Sequence, residues 1–174
     1  VYKRQIENKP PAKKKNKSGR RFEMPAPGDC VQMDVKYVPD RIDGRRYYQY
    51  TVIDDHTRWR YGEIRDDLSG TDSVEVLEAA QARFPVAFRR VQTDNGSEFT
   101  YRLISDARVV DREPRIHPLD RWCQRHGVEH RCIPPGAKTQ QGKVERSHRI
   151  DQEEFYNVVG PIRDPNELKR RFAH

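Results

Sequence analysis

The residues of this 174-residue chain whose types and spacing could do chemistry are carboxylates set at the ends of apolar runs. In "RVQTDNGSEF" (90–99) an apolar-polar alternation leads up to Asp94, and the chain turns at once through Asn95 and Gly96. Asp-Asn-Gly is ordinary turn chemistry. A carboxylate at the lip of a sheet is also a hard oxygen ligand for a divalent cation, a role that needs partners. Asp34 lies inside "GDCVQMDVKYVP" (28–39), with Gln32 and Lys36 on the polar side of a strand whose apolar side is Val31, Met33, Val35 and Tyr37. Strand interiors disfavour Asp, so the position needs a reason. A satisfied acid on an edge strand is one, a ligand another. Glu145 opens a charged helical segment after Gly136 and Gly142. There backbone approaches closely and the helix dipole favours an acid, whether structural or functional. Glu153 and Glu154 read as solvated, and turn or cap roles account for Asp54, Asp55 and Asp151.

These acids need elements to carry them. "IDGRRYYQYTVIDD" (42–55) reads as an Asp43-Gly44 turn and an aromatic-rich second strand, and "RWRYGEIR" (58–65) as a third, so the start is an antiparallel meander. "SGTDSVEVLEAAQARFP" (69–85) changes to helical spacing, with Thr71 or Asp72 as N-cap and Pro85 as stop. "FRRVQT" (88–93) follows a helix and is expected to run parallel to the first strand, which is expected to be central. A short helix (118–127), a strand (128–135), a long helix (143–159) and a last helix from 164 complete the order β-β-β-α-β-α-β-α-α. The class is α/β: a mixed five-stranded sheet with helices on both faces. Residues 100–118 carry no pattern and read as an insertion.

Charge is divided unevenly. The chain is +7 overall, yet residues 1–22 hold nine Lys or Arg against one acid, Glu7. The basic character therefore belongs to an arm, expected to be disordered alone and drawn to polyanions or to act as a linker. Residues 1–5, "VYKRQ", match the translation of a sequencing adapter and are set aside. The chain reads as a fragment, with 23–174 forming a core cut short at its C-terminus. Cys30, Cys123 and Cys132 lack zinc-site spacing and read as reduced thiols of a cytosolic protein. No apolar run reaches membrane-spanning length.

Together, "QMDVKYV" around Asp34, "QTDNGSEF" around Asp94 and "IPPGAKTQQGKVERSHRIDQEEFY" around Glu145 resemble the catalytic core of the DDE transposases and retroviral-type integrases. "YTVIDDHTRWR" between the first two is similar to that family's intervening segment, and bacterial insertion-sequence transposases are the nearest type. The resemblance spans about residues 28–158 and departs in two places. Fifty residues lie between Asp94 and Glu145, longer than the family's usual spacing, and Gln141 stands where the loop commonly has Asn.

The resemblance implies an RNase H-like fold and metal-dependent phosphoryl transfer on DNA. Asp34, Asp94 and Glu145 would be the catalytic, metal-binding residues. Their mutual repulsion would be relieved by two Mg²⁺ (or Mn²⁺) roughly 4 Å apart, with Asp34 bridging. DNA contacts are expected from Arg149 and His148, four and three positions past Glu145, and from Lys138 and Lys143. The partners implied are transposon ends and target DNA, joined by a dimer or larger oligomer in the bacterial cytoplasm at the nucleoid. A helix-turn-helix flank that reads the ends would precede the arm. An RNase H-like nuclease and an inactive DNA-binding remnant are the competing functions; the fold alone separates none of them.

Overall fold

The computed structural model describes residues 23–102, 115–135 and 141–173. The basic arm, most of the 100–118 stretch and Lys138 lie outside the described residues.

The sheet is five-stranded, in the order β3-β2-β1-β4-β5. β1 (Val31–Tyr37), β2 (Tyr48–Asp54) and β3 (Arg60–Arg65) form the antiparallel meander, with Val31 opposite Asp54 and Tyr37 opposite Tyr48. β4 (Arg90–Thr93) and β5 (Glu129–Cys132) add on the other side of β1, both parallel. β1 is thus central, which removes the edge-strand account of Asp34. Register does more: Val31 pairs Val91 and Gln32 pairs Gln92. Continued past the end of that ladder, the same offset sets Asp94 level with Asp34 on the neighbouring strand, about 4.8 Å away in the pairing direction.

Alternation gives each face of the sheet its own helices. Val31, Met33, Tyr50, Val52, Tyr61 and Val91 point to one side. There they pack with α1 (Gly70–Arg83) through Val76, Leu77 and Ala80, and with α2 (Pro118–His126) through Leu119, Trp122 and Cys123. The N-cap of α1 is Ser69, ahead of both expected caps, Thr71 and Asp72. Ser69 Oγ accepts the Asp72 N–H at 3.1 Å and its hydroxyl donates to the Asp72 carboxylate, while the Ser69 N–H donates to the Tyr50 hydroxyl at 3.2 Å. α2 closes at Gly127, whose φ of 65° is left-handed.

The other face is largely polar. It carries Gln32, Asp34, Lys36, Gln49, Thr51 and Arg60, and it is covered by α3 (Gly142–Ile150). The expected single helix over 143–159 passes instead through a π-helical stretch, Asp151–Tyr156, into a last turn, α4 (Asn157–Val159). α5 (Pro165–Phe172) returns over β3, where Leu168 and Phe172 join Val38, Ile42, Tyr47 and Ile64 in a second core. Gly62 makes this possible, since a Cβ there would stand 2.8 Å from the Phe172 ring. No helix among the described residues is long and apolar enough to cross a membrane.

Candidate functional site

Asp34 is largely buried, and its pKa is pushed up to about 7. Burial is the largest cause; the Asp94 carboxylate comes next, and Glu145 and Glu98 add to it against the opposing Val35 N–H. Asp94 and Glu145, singled out from the sequence, therefore lie within electrostatic reach of Asp34, together with a fourth acid. Glu98, half-buried, has its own pKa raised by burial and then by Asp94. Its position four residues past Asp94, in the same turn motif, was the available signal. Among the described residues no three His, Cys, Asp or Glu side chains are already closed around a single metal point.

Both readings of Asp94 are compatible in the structure. One oxygen accepts the Gly96 N–H at 2.8 Å, which makes the turn. Asn95 donates to the Ile133 carbonyl at 2.7 Å, and Ile133 N–H to the Thr93 carbonyl at 2.9 Å, so the loop is fastened to the end of β5. Glu145 is exposed in the first turn of α3.

α3 lies on the sheet by the stripe Val144, Ser147, His148 and Asp151, the i, i+3, i+4, i+7 pattern. This corrects the expectation that His148 shares the outward face of Glu145. His148 Nε2 is 3.2 Å from the Thr51 hydroxyl and Nδ1 is 3.5 Å from Asp34. Burial, with Lys36 and Arg60 nearby, pushes its pKa down to about 4, so the ring is neutral. Lys143 also turns to protein, pairing with the Asp55 carboxylate and carbonyl, each at 2.7 Å. Arg149, by contrast, is exposed.

Asp151 is a buried anchor and not a cap. It accepts from Gln49 Nε2 at 2.6 Å and from Arg60, whose guanidinium also donates to the Ser147 hydroxyl at 3.2 Å. Asp54 does serve a turn, accepting the Gly28 N–H at 2.9 Å and the Thr57 N–H at 2.7 Å.

A meander of three antiparallel strands with two parallel strands added beside a central β1, and helices on both faces, is the RNase H-like fold. The chain belongs to the integrase core domain family, whose model matches residues 24–138. It is 35% identical over 133 residues, 75% of its length, to an uncharacterized 39.2 kDa protein of insertion element IS476 from Xanthomonas euvesicatoria, of which that match covers 33%. Its fold is similar to the catalytic core domain of HTLV-2 integrase in its dimeric form with magnesium (TM-score 0.59, 14% identity, 83% of each chain). It is also similar to a chain of the simian T-cell lymphotropic virus intasome bound to the PP2A regulatory subunit B56 gamma (TM-score 0.63, 17% identity, 81% of this chain and 46% of that one). The chain spans between 33% and 44% of the length of the curated relatives it matches.

Proposed function

We propose that this chain is the catalytic core of a transposase, cutting donor DNA and joining its ends to a target by metal-dependent phosphoryl transfer. The observation that carries the reading is Asp34, a buried acid whose pKa is raised to about 7 in part by Asp94, Glu145 and Glu98. Such a concentration of hard oxygens is unfavourable alone and suits divalent cations. Asp34, Asp94 and Glu145 are the residues that would hold the ions. When bound, two Mg²⁺ (or Mn²⁺ in their place) would supply activation of the attacking water or 3′-hydroxyl and neutralisation of the leaving oxygen.

The protein's own residues do the rest. Asp34 lies within β1, and Asp94 follows directly on the end of β4, the parallel neighbour of β1. Glu145 is brought to them by α3, which the Arg60–Asp151 pair holds to the sheet. Arg149, one turn past Glu145 and exposed, would hold a DNA phosphate. Lys143 and His148 support the helix through Asp55, Thr51 and Asp34, and Lys138 remains a proposed phosphate contact. Transposon ends and target DNA as partners, an oligomer that joins two ends, and work at the bacterial nucleoid complete the reading.

The test is a calorimetric Mn²⁺ titration of the whole chain, with and without a DNA duplex, comparing wild type with Asp94→Asn. Saturable binding that the substitution abolishes is expected. Binding absent from wild type even with DNA, or unchanged in Asp94→Asn, would return the segment to a plain turn.

A further inference from the structure

Two buried histidines outside the acidic set act on the chain on either side of Asp94, and both are tied to the start of α2. His117 is 1% exposed and is the N-cap of that helix. Its Nδ1 accepts the Leu119 N–H at 3.1 Å, which fixes the hydrogen on Nε2. That N–H faces the Ser97 carbonyl at 3.2 Å, three residues after Asp94. Burial lowers its pKa, in keeping with the neutral tautomer these two bonds require.

The second histidine works on the other side. His130 lies on β5 with its side chain 3% exposed, and Nδ1 donates to Asp120, in the first turn of α2, at 2.6 Å. That bond orients the ring so that Nε2 meets the Thr93 hydroxyl at 3.0 Å. The same hydroxyl is 2.9 Å from the Asp94 carbonyl. With one hydrogen, Thr93 donates to one of these neighbours at a time, and either bond ties down the end of β4.

We propose that the first turn of α2 positions Asp94, through His117 on the Ser97 carbonyl and through Asp120-oriented His130 on the Thr93 hydroxyl. None of these groups is called on to touch metal or DNA; they are positioning residues. The bracket is closely built. Gly70 passes so near His117 that a Cβ would lie 2.7 Å from Nε2, and Ser73 of α1 donates to the Glu98 carbonyl at 2.7 Å. Asp94 alone, at a strand end followed by Asn-Gly, has local freedom that a ligand must not have. Outer hydrogen bonds that orient ligands are worth about 10–100-fold in metal affinity or activity.

The inference rests on Asp94 being a ligand, and the experiment separates the two claims. Three variants of the whole chain are compared with wild type. Thr93→Val keeps the branched shape and removes the hydroxyl. Thr93→Ser restores the hydroxyl. His117→Asn keeps an oxygen that can cap α2 but lacks the reach to Ser97. Amide hydrogen exchange is read at Asn95–Thr100, with the β2 amides reporting an intact fold. Mn²⁺ affinity on DNA is read alongside it, together with kcat and KM for cleavage. Thr93→Val and His117→Asn are expected to quicken exchange in that loop alone, to weaken Mn²⁺ about tenfold or more, and to lower kcat at unchanged KM for DNA. Thr93→Ser is expected to return all three to wild type. Wild-type exchange and Mn²⁺ affinity in both disrupted variants would overturn the bracket, as would a Thr93→Ser no better than Thr93→Val. A wild type that binds no Mn²⁺ would remove Asp94 as a ligand, and the exchange rates would still decide whether the bracket holds its loop.

Discussion

Asp34, when charged, works against the stability of its own fold. Its folded pKa, about 7, lies above the ordinary 3.8, so the folded chain holds that proton more tightly than the unfolded one. The sign follows: as far as this group is concerned, stability is greatest below about pH 4 and falls as pH rises to about 7, above which it is level. Asp34→Asn should therefore stabilise the metal-free protein at pH 8 by about 2 kcal/mol, allowing for solvent screening, and the gain should shrink towards pH 4. Urea unfolding of both proteins at the two pH values checks this; a gap that does not change with pH would mean that the charge is not the cause. At this scale the sequence was informative because an acid amid strand residues is conspicuous. The two bracketing histidines were not, since each depends on what lies opposite in the fold.

Among the elements, strand and helix order was legible because periodicity changes cleanly between 2 and 3.6 residues along the chain. The parallel sense of β4 followed from the helix before it. α3 was harder. Its buried stripe is Val144, Ser147, His148 and Asp151, three of them polar, so no apolar periodicity marks the inner face. The sheet beneath is equally polar, and the contact is made by hydrogen bonds and an ion pair. Tyr156, the last residue of the π-helical stretch, donates to Gln49 Oε1 at 2.9 Å and extends the same network. Breaking a buried pair leaves an uncompensated charge, so Asp151→Ala should lose about 3 kcal/mol on urea unfolding. A loss below about 0.5 kcal/mol, the range of an ordinary surface change, would show that apolar packing alone seats the helix.

For the molecule as a whole, the separation of charge matters most. Nine Lys or Arg and one acid occupy residues 1–22, while the rest of the chain is close to neutral. A polycation of this kind adds affinity for DNA without selecting sequence, by releasing counterions. Removing residues 1–22 should weaken binding to a short duplex and flatten the plot of log Kd against log salt by several units, equally for unrelated sequences. Titrations at several salt concentrations measure it; an unchanged slope would assign the phosphate contacts to the core.

The ring of Tyr101 meets that of His117 edge-on, with centroids 4.6 Å apart. These residues stand just before and just after the twelve positions 103–114, so the chain leaves and returns through one clasp. Closing a longer loop between fixed ends is inexpensive, about 0.6 kcal/mol for each doubling. Ends held this close let the number of residues between them vary at little cost while Asp94 and Glu145 keep their places. Counting residues from the second acid to the third is accordingly a poor measure of kinship between proteins of this kind.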